Sequence, residues 1–274
     1  MQSRLFHIFR NTPLGRETLL HSLYFCRQIQ AVPEVYIPRF TKFLMYFDND
    51  VVQVDLDGSY LTAPDTARPH LEALLSEAGF EVRLFEPKNF TASTLPDVPT
   101  HFDFMCCPRS IGDLSSKLGL GYVGPRVRRI VISAQFPVLI TGSVFKPWKS
   151  VTVFFGGSAN AVNALRLGLR ISRLSSMPLD IFTQAEASPE AYRNLVDEAG
   201  LTKEVESRAR EWRFFTEGPL DENLYEAPHD ALCVAGAFGH GIIKDLVFGS
   251  TVERLHTVLT NNLLLVGPAY VALA

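Results

Sequence analysis

The chain has 274 residues, enough for one large domain or for two of about 130 residues each. Hydrophobic residues make up 47% of it and charged residues 20%, which excludes a disordered or fibrous chain and fits a globular protein with a core. The formal net charge of −3 gives no electrostatic reason to expect nucleic acid or an anionic membrane as partner, and the apolar runs fall far short of the ~20 residues that span a bilayer.

In chain order, Leu5 to Phe9 reads as a strand that starts without a leader-like apolar segment before it. Gly15 to Gln28 reads as a helix and Glu34 to Ile37 as the next strand. Phe43 to Phe47 and Val51 to Asp55 are β runs on either side of the polar segment Asp48-Asn49-Asp50, which predicts a hairpin inserted near residues 42–56. Aspartates are expected there from turn chemistry, with a calcium loop over Asp48, Asp50 and Asp55 as the weaker alternative. Thr66 to Glu77 reads as a helix stopped by Gly79, Glu81 to Phe85 as a strand, and Phe102 to Cys107 as a fourth. Pro125 to Val131 leads a further helix, and Pro137 to Thr141 is a fifth strand. Arg126, Arg128 and Arg129 cluster at that helix start and read as a solvated face. The glycine-bearing stretch from Leu114 to Gly124 lacks the lysine and hydroxyl of a Walker loop.

The second half repeats this order. Val151 to Phe155 is a strand, Gly156-Gly157-Ser158 a loop with Ser158 placed as an N-cap, and Ala159 to Leu174 a helix. Leu179 to Thr183 is a strand, Pro189 to Ala199 a helix ended by Gly200, and Glu211 to Thr216 a third strand. Then come the apolar run Ala231 to Ala235, a glycine-bearing loop, a helix from Val252 to Leu259, and the last strand, Leu263 to Gly267. The loop holds Gly236, Gly239, His240, Lys244, Gly249, Ser250 and Thr251. Glycines between a strand and a helix let backbone N–H groups approach phosphate oxygens, and the helix dipole favours the anion. His240 reads equally as a phosphate contact or as a solvated loop side chain, and Lys244 as a surface lysine.

Alternation of strands and helices in both halves predicts an α/β protein of two tandem Rossmann-like domains, residues 1–145 and 150–274, joined near Lys146 to Lys149. Each would be a mostly parallel sheet with helices on both faces, and ligands would bind beyond the carboxyl strand ends. Cys26, Cys106, Cys107 and Cys233 form no CxxC pair or disulfide framework, which points to buried apolar use and a reducing, cytoplasmic setting. The seven histidines show no metal-ligand spacing, and no nucleophile elbow, zinc motif or paired carboxylates are present. This leans away from an enzyme. Gly156-Gly157-Ser158 faintly matches the loop of PP-loop ATP pyrophosphatases, but Ala159 and Asn160 stand where that loop needs Asp and Ser.

The pattern Gly236-x2-Gly239-x9-Gly249-Ser250, after a strand and before a helix and a last strand, resembles the nucleotide-binding signature of the universal stress protein family in its tandem form. The resemblance implies five-stranded sheets of order 3-2-1-4-5. It also implies an adenine nucleotide (ATP, ADP or AMP, with or without magnesium) held by Gly236, Gly239, Gly249 and Ser250, with His240 and Thr251 beside them. Gly156, Gly157 and Ser158 match the family's opening loop. The implied role is regulatory, through an unidentified protein partner, with an intrachain pseudo-dimer or a further homodimer. Two departures stand out: the family's aspartate after the first strand is missing near Gly156 and near Asn11, and the first half has Gly124-Pro125 where glycine and serine would stand, with Ile111 and Leu114 at the earlier glycine positions. Proline has no N–H for a phosphate, so the first half reads as a degenerate copy. The alternatives are an adaptor that binds no nucleotide and, behind it, a slow ATP hydrolase or PP-loop-like enzyme.

Overall fold

The structure is a computed structural model that describes residues 2–56, 64–91, 95–109, 111, 123–238 and 259–272. The chain divides into two compact units, Met1–Lys146 and Pro147–Ala274.

The first unit runs β1 (Arg4–Ile8), α1 (Pro13–Ile29), β2 (Val32–Tyr36), β3 (Lys42–Phe47), β4 (Asp50–Asp55), α2 (Pro64–Ala78), β5 (Arg83–Phe85), β6 (Phe90–Thr91), β7 (Leu95–Pro99), β8 (Phe104–Pro108), α3 (Pro125–Ser133) and β9 (Val138–Thr141). Five of these strands lie side by side as β5-β2-β1-β8-β9, and every pairing among them is parallel. Both β1 and β8 are buried along almost their whole length, as strands covered on both faces must be. Thr12 caps α1 by accepting a hydrogen bond from the Gly15 amide, and Gln30 ends the helix in the left-handed region at φ 58°. Helices α1 and α2 bury Leu19, Leu23, Ala67, Leu71 and Leu75 against Phe9 and Val35.

The insertion after β2 is the expected hairpin, with a shorter turn. Asp50 opens β4 opposite Phe47, so only Asp48 and Asn49 lie between the strands. The small sheet it starts is completed by β7 and β6, in the order β4-β3-β7-β6. The three arginines have partners within the unit, Arg129 while its side chain is 55% exposed. Arg126 donates to Asp55 at 2.9 Å, Arg129 holds both oxygens of Asp50 at 2.8 and 2.6 Å, and Arg128 donates to the Val123 carbonyl at 2.7 Å. Ser133 and Gln135 add hydrogen bonds to Asp50 and Asp48. The aspartates of the hairpin are thus partners of α3 and its C-terminal flank. The hydrogen bond from Arg129 holds the Asp50 carboxyl down at about 2.

The second unit runs β10 (Ser150–Phe154), α4 (Ala159–Ser175), β11 (Leu179–Gln184), α5 (Pro189–Glu198), α6 (Thr202–Arg208), β12 (Ala209–Phe215), the short α7 (Leu220–Asn223) with a 3-10 turn over Leu224–Glu226, β13 (Ala231–Gly236) and β14 (Leu263–Val266). Its strands lie in the order β12-β11-β10-β13-β14, all parallel. Counting only the strands of the main sheet, each unit has the order 3-2-1-4-5. Helix α4 crosses its sheet closely: a Cβ on Gly168 would stand 2.3 Å from Val153 Cγ2. On the edge pair, Asp180 is buried and accepts from Arg210 Nε at 2.9 Å and Nη2 at 2.5 Å. The helix expected from Val252 to Leu259 lies outside the described residues except for Leu259, which is buried and not helical.

Candidate functional site

In the second unit the chain reverses strand order between β10 and β13, which pair in parallel with Phe154 opposite Ala235. Their carboxyl ends are where a ligand would bind in a sheet of this kind. At the end of β10, Phe155 is buried and the chain turns through Gly156 and Gly157 into α4. Gly157 has φ +77°, a conformation that favours glycine, and α5 packs beside it: an added Cβ would meet Leu195 Cδ1 at 3.0 Å and the Tyr192 ring at 3.4 Å. Ser158 is the N-cap, accepting from the Ala161 amide at 3.1 Å, as its place in the sequence predicts. The first turn of α4 contains no acidic side chain. It therefore offers amide donors and the positive end of a 17-residue helix with no carboxylate of its own in that turn.

At the end of β13, Gly236 lies directly against this helix start. A Cβ there would be 2.5 Å from the Asn160 carbonyl carbon and 2.7 Å from the Ala161 nitrogen. Asn160 Nδ2 donates to the Ala237 carbonyl at 2.7 Å, and the Ala237 amide donates to Val266 O at 2.8 Å. Phe238 follows with φ 57°. Gly156, Gly157, Ser158 and Gly236 are thus gathered at one edge, and Asn160 ties the two strand ends together. The sequence reading missed Asn160, whose only local signal is an amide in the first turn of a helix. Close backbone approach accounts for glycine at position 236 independently of any ligand. Gly239, His240, Lys244, Gly249, Ser250 and Thr251 lie outside the described residues.

At the corresponding edge of the first unit the described residues make contacts and hydrogen bonds with one another. A Cβ on Gly15 would fall 1.9 Å from the Arg10 carbonyl oxygen. Asn11, at the position of the missing aspartate, accepts from Arg16 at 3.1 and 2.9 Å and bonds the His70 ring. Gly124 is the N-cap of α3 with its amide donating to the Arg109 carbonyl at 2.9 Å, and Pro125 takes the first helical position. Leu114 lies outside the described residues, while Ile111 is buried.

Elsewhere the buried thiols and imidazoles are part of the core. All four cysteines are free and buried, and burial pushes every thiol up, Cys106 to about 12. His7 bonds Ser22 Oγ at 2.8 Å through Nδ1, while its buried Nε2 has no hydrogen-bond partner among the described residues. Burial lowers its pKa to about 3, and lowers that of His21 to about 4. Among the described residues no three His, Cys, Asp or Glu side chains cluster as a metal site would require. No helix among them is long and apolar enough to cross a membrane.

No family model matches the sequence. Among curated proteins, the chain is 28% identical over 193 residues to the universal stress protein Slr1230 of Synechocystis, a match covering 66% of this chain and 64% of that protein. The chain therefore spans less than two thirds of that relative's length. Among solved structures, a universal stress protein from Archaeoglobus fulgidus aligns with a TM-score of 0.63 at 14% identity, over 97% of this chain and 99% of that one. A functionally unknown protein from Pseudomonas aeruginosa, PA1789, aligns at 0.57 and 12% identity over 98% and 93% of the two chains. The cytoplasmic domain of a prokaryotic cation chloride cotransporter aligns at 0.52 and 10% identity over 97% and 95%. Sequence and fold together bear out the resemblance to the universal stress protein family and its Rossmann-like architecture.

Proposed function

We propose that the chain is a tandem universal-stress-type regulatory protein that binds an adenine nucleotide in its second unit. Gly156, Gly157 and Ser158 would present backbone amides from the start of α4, and the segment from Gly236 to Thr251 would wrap the phosphates. The observation that carries this reading is the juncture of Gly236 with the capped start of α4, tied by Asn160 to Ala237. It brings two glycine-bearing strand ends to the switch point of the sheet without an acidic side chain in the helix's first turn. The first unit, whose strand-end polar groups already bond one another, serves as the structural or partner-recognition half.

A second reading, an adaptor that binds no nucleotide, is favoured by one observation: close packing alone is sufficient reason for glycine at position 236. Titration with fluorescent ATP and AMP separates the two. Saturable binding that is lost in Gly239→Val and Gly249→Val supports the nucleotide reading, and an absence of saturable binding by ATP, ADP and AMP overturns it. Mass spectrometry of small molecules released from freshly purified protein gives an independent check. Phosphate release above the Gly249→Val background would move the reading to a slow hydrolase.

A further inference from the structure

The first unit contains a cavity of about 450 Å³ that the nucleotide reading does not use. That volume suits a small organic ligand. It lies at the ends of β2 and β5, on the flank of the sheet, and not at the switch between β1 and β8. The floor comes from the strands: Val35 and Tyr36 of β2 are buried, and Phe85 of β5 meets the Tyr36 ring edge-on at 5.8 Å. Phe40 and Phe90 also line it. They are 44% and 48% exposed, yet they hold each other edge to face at 6.1 Å. Two half-exposed phenylalanines kept together at a cavity form an apolar surface of the kind that a ligand covers.

The charges on the lining are unevenly matched. Helix α2 contributes Asp65, Arg68, Pro69 and Glu72, spaced i, i+3, i+4 and i+7 and hence on one face. Arg68 pairs with Glu86 of the opposite wall at 3.7 Å. Among the described residues Arg39 has no ion pair, and neither has Asp65 or Glu72. The Arg39 charge is close enough to the Tyr36 hydroxyl to act against the burial that raises its pKa. Among the described residues the lining therefore offers an aromatic box with a cation on the loop after β2 and two carboxylates on the helix that have no ion pair.

We propose that this cavity binds a small aromatic zwitterion of the aromatic amino acid class, its ring among Phe40, Phe85 and Phe90, its carboxylate toward Arg39 and its ammonium toward Asp65 and Glu72. The one ligand type that satisfies all three unpaired charges and the aromatic surface carries a ring, an anion and a cation on a short frame. Apolar amino acids without a ring lose the contacts with Phe40 and Phe90; aromatic acids or amines leave one set of charges unmatched.

Calorimetric titration of the full chain with L-phenylalanine, L-tyrosine and L-tryptophan tests this. Saturable binding in the micromolar to millimolar range is expected, weakened about tenfold in Arg39→Gln and in the Asp65→Asn, Glu72→Gln double variant. Phenylpropionate should be insensitive to the double variant and phenethylamine insensitive to Arg39→Gln. All these positions are exposed, and circular dichroism checks that each variant folds. Gly249→Val should leave the binding unchanged, which keeps this site apart from the nucleotide site. Three results overturn the proposal: no saturable heat with any of the three amino acids, equal binding of L-leucine, or affinity unchanged in both charge variants.

Discussion

Gly236 and Asn160 belong to the scale of single residues, and they make opposite demands. Gly236 must have no side chain, because the space a Cβ would fill already holds the backbone of Asn160 and Ala161. Gly236→Ala should cost about 1–3 kcal/mol in urea denaturation, as overpacking does in other cores, whether or not nucleotide is present. Asn160 must have its amide, and Asn160→Ala should cost about 1 kcal/mol by the same measurement. The glycines were legible in the sequence because glycine before a helix is a local signal. Asn160 was not, because its acceptor is 77 residues away and only the parallel pairing of β10 with β13 brings it near. The buried histidines give a pH dependence. In the unfolded chain an imidazole titrates near 6.5, while in the folded chain burial holds His7 at about 3 and His21 at about 4. As pH falls below 6.5 the unfolded chain takes up protons first. The stability due to neutral burial is complete above that value and is lost progressively toward the folded pKa values, at about 2 kcal/mol per histidine by pH 5. Denaturation midpoints measured between pH 7 and pH 5 check this, and in His7→Gln the slope should lessen.

At the scale of elements, the contact between α4 and β10 is set by the absence of a side chain at Gly168. Gly168→Ala drives a methyl group into Val153 and should lose about 1–3 kcal/mol. The Gly168→Ala, Val153→Ala double variant should lose less than the sum of the two single changes, since the new methyl then fills the space that Val153 vacates. The hairpin β3–β4 is held from α3 by charged hydrogen bonds. Asp50→Asn should speed amide exchange in β4 while leaving the core amides of β1 and β8 protected. The Asp50 pKa is depressed by Arg129, so this attachment is at full strength above pH 4 and weakens as pH falls toward 2. The main strands and long helices were legible because buried parallel strands read as apolar runs and the helices carry Pro, Ser or Thr at their starts. β6 and β7 were not. β6 has two residues, and β7 contains Pro96 and Pro99, which read as breakers. Nor was α6 legible, since its seven residues bury only Val205 and give no periodicity. The role of Arg126 and Arg129 was hidden for the same reason as that of Asn160: their partners lie 71 and 79 residues back in the chain.

Across the whole molecule, the two units share a strand order but differ in the partners of the described residues at their strand ends. In the first, Arg16 donates to Asn11 and, separately, the Gly124 amide donates to the Arg109 carbonyl. The nucleotide reading therefore predicts one nucleotide per chain, and calorimetry returning two equivalent sites would contradict the assignment of the first unit. The buried imidazoles divide the units in another way. His7 and His21 both belong to the first unit, whereas His229, the one described histidine of the second, is exposed. Among the described residues, mild acid thus acts through His7 and His21 on the first unit. A thermogram taken at pH 7 and again at pH 5 should change from closely spaced transitions to a broader or split one, with the earlier event belonging to the first unit. Proton concentration thereby becomes a way to weaken the first copy of a duplicated fold through two named imidazoles, and to ask whether the second still takes its ligand.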